Sequence, residues 1–145
     1  MDACGNKAQR LYDKERKHLM TRTIDRTGEI TKFDYDKNGM LVAMTRGEQI
    51  SKLVYDEQHN LVSWNENGKT LRRWDYDHRG QVTAEHSPLL RPDRFEYDAL
   101  GRVTRVYAHD GNTVELGYDA YDSVTEARDA HRHVRMTYTP LGSLA

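Results

Sequence analysis

Three kinds of side chain in this 145-residue chain stand where they could do chemistry. His131 and His133 are two apart, so a strand would carry both imidazoles on one face. That spacing can begin a metal site, but a structural zinc takes four ligands and no third is evident. Asp13, Asp36, Asp56, Asp77, Asp98 and Asp119 each follow a tyrosine. Paired carboxylates can share acid–base work when two of them meet in one cleft, whereas these recur evenly along the chain. The tyrosines could stack sugars or single-stranded bases. The other histidines, His18, His59, His78, His86 and His109, scatter and form no Ser/His/Asp arrangement. Cys4 has no disulfide partner and reads as an inert thiol. The simplest reading is that the aspartates and tyrosines build structure. No catalytic residue, cofactor or metal is therefore expected.

The elements that carry these residues repeat. Tyr12, Tyr35, Tyr55, Tyr76, Tyr97, Tyr118 and Tyr138 follow one another at separations of 23, 20, 21, 21, 21 and 20. Asp follows six of the seven, and Thr139 follows the last. Six residues after the tyrosine stand Leu41, Leu61, Val82, Val103, Val124 and Leu144; two before it stand Phe33, Leu53, Trp74, Phe95, Leu116 and Met136. A period near 20 marks an array of supersecondary units.

Each unit reads as a hairpin. Asp-x-x-Gly gives a type I turn followed by a left-handed residue, with the aspartate bonding back to the turn. Asp36 with Gly39, Asp77 with Gly80, and Asp98 with Gly101 fit, and Thr139-Pro140-Leu141-Gly142 fits with threonine first. His59 and Asp122 stand where glycine is missing, and both are residue types enriched at positive φ. If Asp36 pairs with Met40, then Tyr35 faces Leu41 and Phe33 faces Ala43. Likewise Tyr55 faces Leu61, Tyr76 Val82, Tyr97 Val103, Tyr118 Val124 and Tyr138 Leu144, a ladder of aromatic–aliphatic pairs on one face. A weaker apolar set, Ile30, Ile50, Trp64, Leu71 and Val106, falls on the opposite parity. Asn67-Gly68 and Asp110-Gly111, with Thr27-Gly28 and Arg46-Gly47, predict two-residue turns closing each unit. Between Val82 and Phe95, Pro88 and Pro92 predict a longer loop with a defect in the ladder.

The fold expected is all-β: an antiparallel meander of tandem ~21-residue hairpins forming a curved strip, with roughly 12–14 strands and no closed domain. Residues 1–11 are expected to be poorly ordered and 12–145 to form about seven repeats. A strip with open edges is expected to self-associate through them. The formal net charge of -1, with 22 basic and 23 acidic residues, argues against nucleic acid as a partner. No apolar run approaches the ~18 residues of a membrane span, and the first ten residues lack the apolar stretch of a cleaved secretory signal.

The stretches "FDYDKNGMLV", "WDYDHRGQVT" and "FEYDALGRVT" resemble the YD-repeat, or Rhs-repeat, family, whose core is aromatic-x-Tyr-Asp-x-x-Gly-x-Leu/Val at a period near 20. The resemblance is good from about Asp25 to Leu144 and weak from Tyr12 to Ile24. It implies a β-sheet strip that spirals into a hollow shell, as in Rhs polymorphic toxins, insecticidal toxin complexes and teneurins. It implies a non-enzymatic segment of a bacterial shell that encloses a toxin domain. Its implied partners are the adjacent repeats and that toxin. It also implies a stay in the cytoplasm before export without a cleaved signal, by a type VI-like route. Complete shells use several times more repeats, and the Asp-Pro stretch linked to self-cleavage in Rhs cores is missing here, so a piece of shell is expected. The rival reading is an extracellular adhesion module binding protein or carbohydrate.

Overall fold

The computed structural model describes residues 8–139 and 142–144, which divide into two compact units between Arg72 and Arg73. Cys4 and Pro140 lie outside the described residues. All regular structure is β, and the hydrogen-bonded strand order follows the chain from the first strand to the thirteenth. Among the described residues no helix is long and apolar enough to cross a membrane.

The first unit holds β1 (Gln9–Tyr12), β2 (Met20–Ile24), β3 (Ile30–Tyr35), β4 (Leu41–Arg46), β5 (Gln49–Tyr55) and β6 (Leu61–Glu66). Strand β7 (Lys69–Tyr76) begins in this unit and ends in the next. The second unit continues with β8 (Val82–His86), β9 (Asp93–Tyr97), β10 (Val103–Tyr107), β11 (Thr113–Tyr118), β12 (Val124–Arg128) and β13 (His133–Arg135). Residues 9–11, inside the segment for which the sequence predicts little order, belong to β1.

The hairpin register departs from the simple alternation expected. Tyr35 pairs with Leu41, but Asp34 then pairs with Ala43 and Phe33 with Met44, because a β-bulge inserts Val42. The same step recurs at Val62, Thr83, Thr104 and Thr125, and at Thr21 between β1 and β2. One extra residue moves every later side chain to the other face. Phe33 therefore faces Met44 rather than Ala43. Trp64 pairs with Leu53, and Val106 with Phe95, so both stand on the tyrosine face rather than opposite it.

Two of the predicted turns are also of another kind. Asn67 and Gly68, at φ 46° and 80°, do make a two-residue turn, and Arg46 pairs with Gln49 around Gly47 and Glu48. Thr27-Gly28 and Asp110-Gly111 instead close wider corners. Asp25 N–H donates to Glu29 O, and Ala108 N–H to Asn112 O. The proline segment forms a loop over 87–92, and beyond it β8 and β9 pair only at Ala84–Arg94 and Glu85–Asp93.

Burial is shallow. Leu19 and Ala84 at 8% and Ser51 at 7% are the least exposed, and no large side chain among the described residues is fully buried. On β3, β5 and β9 the residues ahead of the tyrosine alternate: Phe33, Leu53 and Phe95 are half-buried, while Asp34, Val54 and Glu96 are exposed.

Candidate functional site

The aspartates sit at hairpin corners. At Asp36, Asp56, Asp77, Asp98 and Asp119 the Asp backbone N–H donates to the carbonyl four residues on, and the fourth residue's N–H donates back to the Asp carbonyl, whereas at the wider first corner Asp13 N–H donates to Leu19 O. One carboxylate oxygen accepts two further amides: Asn38 and Met40 at Asp36, Gln58 and Asn60 at Asp56, Arg79 and Gln81 at Asp77, Leu100 and Arg102 at Asp98. The left-handed fourth position is filled by Gly39, Gly80, Gly101 and Gly142, and by His59 and Asp122 at φ 68° and 64°. Thr139 closes its corner with the same backbone bonds.

At Asp56, Asp77 and Asp98 these bonds favour the charged carboxylate. The Asn60 side-chain amide lowers the pKa of Asp56, the Gln81 backbone amide that of Asp77, and the Arg102 backbone amide that of Asp98. A carboxylate held this way cannot take up a proton near neutral pH, so it makes a poor general acid. Asp56, Asp77 and Asp98 are thus occupied in holding their turns.

The tyrosines do what a phenylalanine could not. Strands β4 and β5 pair as far as Ala43–Lys52. Beyond that pair, toward the corner, Tyr55 Oη donates to the Leu41 carbonyl at 2.9 Å. Tyr35 bonds Met20 O at 2.9 Å, Tyr97 bonds Val82 O at 2.7 Å, Tyr118 bonds Val103 O at 2.7 Å and Tyr138 bonds Val124 O at 2.8 Å. Each acceptor belongs to the aliphatic residue at the mouth of the preceding hairpin. Between hairpins the ladder opens toward the corners, and the phenol bridges the opening. Burial, then the charge of the preceding corner's aspartate, raises the pKa of Tyr55 (beside Asp36) and Tyr97 (beside Asp77). The phenol therefore stays protonated and keeps donating.

Neighbouring corners are also tied to each other. Arg16 donates to Asp36 O at 2.9 Å, Arg79 to Ala99 O at 3.1 Å and Gln81 to Gly101 O at 3.1 Å. Arg102 reaches Asp98 at 2.7 Å and Asp122 at 2.9 Å, and its guanidinium lies over the Tyr118 ring at 4.8 Å. The tyrosines that make the bridging bonds are all half-buried. Their rings lie on the half-buried side of the sheet.

The histidine pair separates. His133 lies on β13 and contacts Glu126, while His131 is in the turn before it, its N–H held by Asp129 at 2.7 Å. The aspartate claims the turn, which shortens the strand. Among the described residues no three His, Cys, Asp or Glu side chains gather as a metal site would require. A groove of about 690 Å³ lies beside the proline loop and is bordered by Arg91, Pro92, Arg94, Phe95 and Tyr107. Within it the Tyr107 hydroxyl donates to the Glu96 carboxylate at 2.8 Å.

The sequence matches the teneurin YD-shell family over residues 4–139. No curated protein matches it significantly. Among solved structures, the crystal structure of TcdB2-TccC3-TEV is similar at a TM-score of 0.67 with 18% identity, covering 96% of this chain and 9% of that one. The crystal structure of TcdB2-TccC3 gives 0.67 and 15% identity, covering 94% and 8%. The Photorhabdus luminescens Tc holotoxin pore gives 0.62 and 13% identity, covering 92% and 10%. At these identities the likeness is one of fold. The chain spans about a tenth of the length of the structures it matches.

Proposed function

The chain belongs to the teneurin YD-shell family, and from that premise we propose that it is a stretch of shell wall whose work is to enclose a polypeptide cargo, a toxin domain delivered with the shell. The observation that carries this reading is the tyrosine bridge. Five hairpins supply a tyrosine hydroxyl to a carbonyl of the hairpin before them, so the sheet can lengthen without a globular core. That is what a wall needs and what an enzyme's cleft does not. The aspartates, glycines and tyrosines are the working parts of the wall: Asp36, Asp77, Asp98, Gly39, Gly80, Gly101 and Gly142 turn it, and the tyrosines with their aliphatic partners close it. The similarity of fold to toxin-complex components supports a cargo that is a toxin and a route that ends outside the cell.

The test is protease protection in the longer protein that carries these repeats. The enclosed domain should resist cleavage while the 87–92 loop is cut. Cleavage of both at the same rate would overturn the reading.

A second reading, an adhesion module, draws on the exposed tips. Leu89 is 93% and Tyr121 89% exposed, and such apolar residues at loop tips suit contact with another protein. Cell-surface display followed by loss of adhesion in Leu89→Ser and Tyr121→Ser would favour it over the wall.

A further inference from the structure

Every strand has a second face, opposite the tyrosines. In residues 9–66 cross-strand pairing sets Leu11, Arg22, Lys32, Thr45 and Ile50 in one row across that face. A second row runs Asp34, Ala43, Lys52 and Asn65. Arg22 and Lys32 are direct partners, an arrangement of like charges that costs stability. Arg22, Lys32 and Lys52 are exposed, and among the described residues none of them forms an ion pair. Asp34 is the one acidic residue on this face of β1 to β6. Beside the cations, Ile30, Ile50 and Val54 are 39%, 42% and 48% exposed.

The corresponding face of the second unit differs. There Arg105 lies between Glu96 at 3.4 Å and Glu115 at 2.6 Å, and Asp75 takes His86 at 2.7 Å. That face carries four carboxylates, Asp75, Glu96, Glu115 and Glu126, against the single Asp34 of the first unit, although Arg94, Arg128 and Arg135 also stand exposed on it. The first unit has left its cations open and surrounded them with aliphatic carbon.

We propose that this face of residues 9–66 binds an acidic polypeptide segment in extended conformation. Strand β5 presents Ile50, Lys52 and Val54 at alternate positions, about 6.6 Å apart. An extended chain repeats its own side chains at the same interval, so apolar–acidic–apolar residues on one side of it would meet them in register. The aliphatic groups are about half covered, which suits contact with side chains of a peptide rather than insertion into a bilayer. Three cations against one carboxylate are too few for a nucleic acid backbone. This deepens the wall reading and rests on it for the source of the segment, since an enclosed chain meets one face of the wall.

The test uses the 145-residue chain and a fluorescein-labelled peptide of repeated Val-Ser-Glu-Ser, followed by anisotropy. Saturable binding is expected. Lys32→Glu with Lys52→Glu should weaken it at least ~10-fold, the range expected for reversing desolvated charge pairs. Lys32→Gln with Lys52→Gln should weaken it less, and Arg128→Glu in the second unit should leave it unchanged. Circular dichroism should be the same for all of them. Equal binding of a Val-Ser-Lys-Ser peptide, indifference to the lysine changes, no peptide binding, or preference for phosphatidylserine vesicles would each overturn the proposal. Failure here with cargo protection intact removes the face assignment and leaves the wall. Loss of cargo protection with peptide binding intact does the reverse.

Discussion

The two halves of this chain obey one rule on one face and different rules on the other. On the tyrosine face, Tyr55 with Leu41 O in the first unit and Tyr97 with Val82 O in the second make the same bond. On the far face, exposed Lys52 and Ile50 of the first unit stand against the Glu96–Arg105–Glu115 ladder of the second. The repeat thus constrains what closes the sheet and leaves the other side to vary. A feature shared by both units is part of the architecture, and a feature of one unit is a place to look for a partner.

The strongest way to break the comparison is at the corners. Gly101 has φ 87°, and a Cβ there would meet Gln81 Nε2 at 3.1 Å. Gly39 has φ 84°, but its Cβ would meet only Leu19 at 3.8 Å, an ordinary contact. Both valine substitutions carry backbone strain of about 1–3 kcal/mol, and Gly101→Val should lie at the upper end because Gln81 must also move. Gly101→Asn should cost less, as His59 and Asp122 already hold that conformation. Urea denaturation of the three variants checks the order.

The next effect should be equal in the two units. Tyr55→Phe and Tyr97→Phe each leave a carbonyl without its phenol, at a cost of about 1 kcal/mol. A loss in one unit and none in the other would mean the bridge is not the common device it is taken for.

The pH limits follow from the same groups and should also be shared. The folded pKa values of Asp56, Asp77 and Asp98 are depressed. Their contribution is complete above the unfolded carboxylate value, about 3.9, and is lost as pH falls through the lower folded values. Those of Tyr55 and Tyr97 are raised. Their contribution is complete below the unfolded value near 10 and is lost as pH rises through the folded ones. Thermal melts should be flat between these limits, and Asp77→Asn should soften the acid fall.

The smallest effect separates the units. Arg105→Gln breaks contacts with two carboxylates and should lower the melting temperature slightly, less so in ~1 M salt, where exposed charges are screened. Lys52→Gln, with no ion pair to lose, should change nothing.

Much of the molecule was legible in the residues. Tyrosine, aspartate and glycine at fixed intervals define the hairpins because turn chemistry is local: one side chain and one φ decide each corner. The bulge was not, since it depends on how two strands match after the turn. A signal for it does stand in the sequence: Val42, Val62, Thr83, Thr104 and Thr125, each seven residues after a tyrosine, are all β-branched. The phenol bridge was hidden for a related reason. It joins residues 14 or 15 apart across a gap in the ladder, which no local pattern encodes. Asp110-Gly111 misled because its turn bonds start two residues earlier, at Ala108. The sequence marks the left-handed glycine without marking where its loop begins.

The bridge has a consequence for how such a chain can change length. Because Tyr35, Tyr55, Tyr97, Tyr118 and Tyr138 each look back to the hairpin before them, donor and acceptor of these bridges belong to successive copies. Copying or losing one whole period of 20 or 21 residues leaves each hydroxyl with a carbonyl to meet. A change of one residue within a strand flips the faces of everything paired beyond it, whereas the first corner, two residues longer than the others between Tyr12 and Met20, keeps its bridge to Tyr35. Genes for such proteins should therefore grow and shrink by complete units, while odd lengths collect in stretches such as 87–92, where the ladder is already short.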